Sequence, residues 1–273
     1  MSVTFSDITT MLEARKPINQ PCVPAVAKTL HSFSEQGIVL NSDWQNTIQF
    51  LSVLQNKAWP QIKHPRVAFY ASNYGDDLAE TQLRLTALAR QNDFATRLCG
   101  LINADLRVYE LDLSQQISPD GISEEEASHA LSYGLMAVEE HVDCLIVEAL
   151  SSGSDAVLKK WQEALLRETS AEPLKLLQQC GAGHDLFAMM GAVFAARMAN
   201  IPVFGGAKLA AVLPLALSQI MPNEPCHFIT MPSTVTGTDL LQTISGLQQL
   251  QLILSLGPQP LQAGKLITPR AAA

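Results

Sequence analysis

The segment GAGHDLFAMMGAVFAARMANIPVFGG, residues 181–206, decides how the rest of the chain is read. Two glycines open an apolar run long enough for a four-turn helix. A short apolar strand follows and ends in a second glycine pair. Gly181 and Gly183 form a G-x-G, but residue 186 is leucine and the motif follows a helix. A dinucleotide fingerprint needs a third glycine three residues on and a strand–turn–helix setting. No Gly-Lys-Ser/Thr follows a glycine loop either. What remains is a helix N-terminus at residues 183–185. Its free N–H groups can hold an anion or be capped by Asp185, and local chemistry favours the cap.

Working outward, the helix-then-strand unit repeats. RVAFYAS (66–72), LRVYELDL (106–113), CLIVEAL (144–150), IPVFGG (201–206) and CHFIT (226–230) read as short apolar strands. Between them lie helical patterns, among them LAETQLRLTALARQNDFATRLCG (78–100), read as one helical stretch. Ser123 and Glu126 make a capping-box pattern before SEEEASHALSYGLMAVEEHVD. Ser154 or Asp155 stands where it can cap the next helix, and Pro173 suits a first helical turn. Apolar strands alternating with helices predict an α/β fold: three layers, α/β/α, with a mainly parallel, Rossmann-like sheet. The chain divides into a helical part over 1–60, an α/β core over 61–235 and a helix with tail over 236–273, the two ends forming a small helical lobe. In such sheets ligands bind at the carboxyl ends of the strands. That edge collects SNYGD (72–76), EALSSGSD (148–155), GGAK (205–208) and TMPSTVTGTD (230–239).

Composition narrows the function. The 273 residues are 47% hydrophobic and 16% charged, with a formal net charge of -8. Residues 108–158 hold eleven Asp or Glu and no Lys or Arg, the wrong sign for a nucleic-acid groove. Five single cysteines show no C-x-x-C spacing, so no metal site or disulfide is expected. No signal peptide opens the chain, and no apolar run reaches the roughly 18 residues of a membrane span. A cytoplasmic protein is expected.

Glu148 ends the strand CLIVE, where a partly desolvated carboxylate can act as base or hydroxyl acceptor. Its alternative is to cap the next helix or pair with a lysine. The serines at 151, 152 and 154 lack a G-x-S-x-G elbow.

Taken together, residues 173–213 resemble the nicotinate-nucleotide:dimethylbenzimidazole phosphoribosyltransferases of cobalamin lower-ligand assembly. The likeness extends more loosely over residues 60–260, strand by strand. It implies displacement of nicotinate from nicotinate mononucleotide by a benzimidazole nitrogen, without cofactor or metal. It also implies a glutamate near the C-terminus as base, and a homodimer. By the same likeness Ser152, Gly153, Ser154, Gly181, Gly183, Asp185, Gly205 and Gly206 are candidate substrate or phosphate contacts. Asn73 and Tyr74 are candidates for the base pocket. The departures are specific. Pro258 stands where the glutamate belongs, SNYGD replaces an Asp-His turn, and the loop after Glu148 has lost its glycines. A divergent relative is expected, with Glu148 as the remaining candidate catalytic residue. The alternative is a non-catalytic nucleotide-binding module, or a partner subunit in a heterodimer with an active homologue.

Overall fold

The segment PRVAFYA is buried at every position, which only a strand in the middle of a parallel sheet requires of its sequence. A computed structural model describes residues 4–13, 23–35, 37–75, 78–91, 93–151, 153–167, 172–221, 228–229 and 239–257. In it this segment, β1 (Pro65–Ala71), lies between β2 (Asp105–Glu110) and β3 (Cys144–Ala149). Two short strands, β4 (Val203–Phe204) and β5 (Phe228–Ile229), complete a five-stranded sheet of order β2-β1-β3-β4-β5. Every pairing is parallel, and helices cover both faces, so the layers are α/β/α.

Strand alternation builds the two cores. Ala68 and Tyr70 of β1, with Leu145 and Val147 of β3, enter the first core. It is filled from α6 (Glu124–Gly134), α7 (Gly153–Arg167), α8 (Pro173–Gln179), α9 (His184–Ala199) and α10 (Ala207–Ile220). Val67 and Phe69, with Cys144 and Ile146, enter the second. That side receives α2 (Val23–Glu35), α3 (Ser42–Gln55), α4 (Leu78–Ala89), α5 (Phe94–Leu101) and α11 (Asp239–Ser255). Segments far apart in the chain therefore share this core: Trp59 Nε1 donates to Leu254 O at 2.9 Å. The first helix, α1 (Phe5–Glu13), goes to the other core, where Phe5 stacks on Phe187 at 5.7 Å.

Helix α9 is apolar all round and buried from Asp185 to Arg197, as a central helix must be. It crosses α6 so closely that a Cβ on Gly191 would lie 2.0 Å from Leu131 O. Asn200 ends it in the left-handed conformation, φ 59°.

Two local readings need correction. Residues 78–100 form two helices, not one. Gln91 turns left-handed at φ 55°, and Asp93 starts α5 afresh by accepting from Thr96 N at 2.8 Å. The helix begun at Ser123 is also shorter than its pattern: α6 stops at Gly134 and a 3₁₀ turn follows, Leu135–Ala137.

The capping box itself is formed. Ser123 Oγ accepts from Glu126 N at 3.2 Å, and Glu126 Oε2 accepts from Ser123 N at 2.8 Å. Those bonds from Ser123 hold the Glu126 carboxyl below its usual range. Ser123→Ala is expected to cost about 1 kcal/mol at neutral pH, measured by urea unfolding. A depressed carboxyl stabilises above its unfolded pKa of ~4.3 and loses that contribution as pH falls through the lower folded value. The gap between wild type and variant should therefore narrow below pH ~4.

Candidate functional site

Four segments converge at the carboxyl edge beside β1 and β3. Residues 72–75 follow β1, residues 150 and 151 follow β3, residue 153 opens α7, residues 181–183 enter α9, and residues 111–117 follow β2. Helices that return to parallel strands start at this edge, so α7 and α9 bring their N-termini here together.

At the centre is Asp185, fully buried in the first turn of α9. Its Oδ1 accepts from Tyr74 OH at 2.8 Å and from Leu186 N at 2.9 Å. Its Oδ2 accepts from Ser154 Oγ at 2.5 Å. The Tyr74 hydroxyl in turn accepts from Gly183 N at 3.0 Å. Asp185 N donates to Ser72 Oγ at 2.9 Å. Ser72 N donates to Ser151 Oγ at 2.9 Å, and that hydroxyl returns a bond to Ser72 O at 2.8 Å. Burial pushes the Asp185 carboxyl up, against the bonds from Ser154, Tyr74 and Leu186 that favour its charge. Burial, then the neighbouring Asp185 charge, pushes the Tyr74 phenol well up.

This cluster uses most of the sequence candidates inside the protein. Asn73 Nδ2 donates to Leu113 O at 3.1 Å, and its Oδ1 accepts from Gly75 N at 2.8 Å, a local side-chain turn. The Tyr74 ring is held between Gly153 and Gly183. A Cβ on Gly153 would lie 2.4 Å from Tyr74 Cγ, and one on Gly183 3.0 Å from its hydroxyl. Gly181 takes φ 88° where the chain passes Pro119 O. Asp185 does not cap α9 from the N-cap position; Gly183 occupies that place without a side-chain bond. Nor do Ser154 or Asp155 precede α7. Both lie in its first turn, Ser154 on Asp185 and Asp155 paired with Lys208. Ser152 and Pro258 lie outside the described residues.

Two candidate groups stand apart from the cluster. Glu148 is half-buried near the end of β3. Alternation puts it on the face of Cys144 and Ile146, the second core, across the sheet from Asp185. Arg84 lies on that side, donating to Leu150 O at 3.0 Å and pairing with Glu80. Gly205 and Gly206 follow β4 and lead into α10, whose first turn carries Lys208. Sequence reading placed the segments of Ser72, Ser151 and Lys208 on this edge but gave none of the three a role there, and it did not single out Arg84, which had no signal.

Among the described residues no group of His, Cys, Asp and Glu is arranged to hold a metal ion, and no helix is long and apolar enough to cross a membrane.

No family model matches the chain. Among curated proteins, the nicotinate-nucleotide–dimethylbenzimidazole phosphoribosyltransferase of Methylocella silvestris is 29% identical, the match covering 56% of this chain and 58% of the relative. That of Cereibacter sphaeroides is 24% identical over 62% of this chain and 63% of its own. The fold agrees: the structure of the same-named transferase of Thermus thermophilus superposes with a TM-score of 0.68, covering 87% of this chain and 96% of that one at 14% identity. The chain is thus similar in sequence to nicotinate-nucleotide–dimethylbenzimidazole phosphoribosyltransferases and shares the fold of one whose structure is solved. It spans 58–63% of the length of these curated phosphoribosyltransferases. Of the Asp185 cluster, Gly183, Asp185 and Leu186 lie in the segment that carried the sequence resemblance, residues 173–213.

Proposed function

We propose that this phosphoribosyltransferase relative receives a nucleotide of the nicotinate mononucleotide class at the carboxyl edge of its sheet, and transfers its phosphoribosyl group to a benzimidazole-type base slowly. In this reading it acts in the cytoplasm. Glu148, Gly205 and Gly206 contribute from the part of the rim outside the Asp185 cluster, and Pro258 replaces the usual base. One observation carries the reading. The carboxylate at the cluster, Asp185, is fully buried and turned to three donors inside the protein, so it is out of reach of an incoming base. Glu148 is the remaining acid of the candidate set.

A general base is worth about 10²–10⁴-fold in rate. Turnover of nicotinate mononucleotide with 5,6-dimethylbenzimidazole, followed by nicotinate release, should therefore fall short of a competent homologue by about that factor. Glu148→Gln should remove what is left. Turnover at full family speed, or turnover indifferent to Glu148→Gln, would overturn the assignment.

A second reading is a non-catalytic nucleotide-binding or partner subunit, as a homodimer or beside an active homologue. It draws support from the Tyr74 ring packed between Gly153 and Gly183, which fills space where two helix N-termini point. Ligand-dependent thermal stabilisation without product separates it from slow catalysis.

A further inference from the structure

Two cations reach the carboxyl edge of the sheet from opposite faces. Lys208 comes from the first turn of α10, on the first-core side, and pairs with Asp155. Arg84 comes from the middle of α4, on the second-core side. Its pair with Glu80 is an ordinary contact one turn back on an exposed helix face. Its other bond is not: Nη1 donates to Leu150 O at 3.0 Å, which draws the side chain off the helix and fixes it to the main chain just past β3. A guanidinium carries five N–H donors. These two bonds leave Nε and the remaining N–H groups without a partner among the described residues. The side chain is 46% exposed, so those donors are open to a ligand.

Glu148 stands two residues before Leu150, roughly 7 Å along the strand and on the same face. A base at Glu148 works only with the reacting rings beside it. A pyridine ring that carries a carboxylate then brings one negative charge toward another, and neighbouring carboxylates repel. Arg84 supplies the countercharge at that spot, and its planar fork matches the two oxygens of a carboxylate. The phosphate of the same nucleotide has a separate place, by Gly205, Gly206 and Lys208 at the start of α10. The two anionic groups thus find their cations on opposite faces of the sheet.

We propose, resting on the function proposed above, that Arg84 is a specificity-determining residue of this edge. Held by Leu150 O, its guanidinium binds the ring carboxylate of a nicotinate-type nucleotide and selects the acid over the corresponding amide.

Isothermal titration reads this without turnover. The full chain should bind nicotinate mononucleotide about tenfold or more tightly than nicotinamide mononucleotide, the weight of a hydrogen-bonded charge pair. Arg84→Gln should erase that preference by weakening the acid alone. Arg84→Lys keeps the charge without the fork and should retain part of it. Nicotinate riboside, which lacks the phosphate, separates the two anions: its affinity should also fall in Arg84→Gln. Equal affinity of the wild type for acid and amide would overturn the assignment of Arg84 and leave the edge a nucleotide site. So would a preference untouched by Arg84→Gln, or an Arg84→Gln that weakens both nucleotides alike and spares the riboside, as a phosphate contact does. Binding of neither nucleotide would overturn the assignment together with the reading it rests on.

Discussion

Asp185→Ala is expected to destabilise the protein by at least about 3 kcal/mol, read as a shift in the urea midpoint with unchanged slope. The substitution strands three donors at once. Tyr74 OH, Ser154 Oγ and Leu186 N all point at the carboxylate, and Ser154 and Asp185 are fully buried. Each buried donor left unpaired costs about 1–3 kcal/mol. The shell around it is rigid, because Gly153 and Gly183 are closed against Tyr74, so collapse onto the gap is hindered. Tyr74→Phe gives the internal comparison. It removes one donor to Asp185 and one acceptor for Gly183 N, and should cost less than Asp185→Ala because Ser154 and Leu186 keep their partner. Equal losses in the two variants would mean that the tyrosine hydroxyl alone anchors the edge. Because burial raises the Asp185 carboxyl in the fold, the neutral form is the better tolerated one. The contribution of a raised group is full below its unfolded pKa, ~3.9 for aspartate, and is withdrawn as pH climbs through the folded value.

The cluster explains what sequence could and could not reveal. The strands were legible because burial on both faces of a parallel sheet writes unbroken apolar runs such as RVAFYA, and because short strands alternating with helices admit few topologies. The split between α4 and α5 was legible in principle: Asn92 and Asp93 interrupt the leucine pattern with helix-start chemistry, and the apolar rhythm hid it. The face of Glu148 was also within reach, since Leu145 and Val147 of the same strand go to one core and Cys144 and Ile146 to the other. Sequence could not show the partners of Asp185. Tyr74 is 111 residues away and Ser154 is 31, and no spacing rule links them. A tyrosine beside a glycine-rich edge reads as a surface for a base. Only the packing against Gly153 and Gly183 turns it inward.

A second large effect is expected at the opposite edge of the sheet. Removing both Asp105 and Glu139, as the double alanine variant, should lower the urea midpoint more than Arg66→Met does, because it leaves a buried guanidinium without its counter-charges. Arg66 is fully buried near the start of β1. Its Nε and Nη2 lie 3.0 and 2.8 Å from Asp105 Oδ2, and its Nη1 donates to Glu139 Oε1 at 3.0 Å and to Ala137 O at 2.9 Å. The asymmetry follows from where the charges sit. The carboxylates are 41% and 49% exposed and can rehydrate when the guanidinium goes, whereas the guanidinium has no access to water when they go. An apolar side chain of similar volume in place of a buried ion is often neutral. Acid should imitate the double variant. Burial works against the Asp105 charge, but the bonds from Arg107 and Arg66 outweigh it and hold the carboxyl below its usual range; Arg66 does the same for Glu139. Depressed carboxyls stabilise above their unfolded values, ~3.9 and ~4.3, and that stabilisation is lost as pH falls through the lower folded ones. In dilute protein, wild type should therefore lose stability below pH ~4 more steeply than the double variant. Parallel pH curves would mean that Ala137 O and packing, not the two carboxylates, hold the arginine in place.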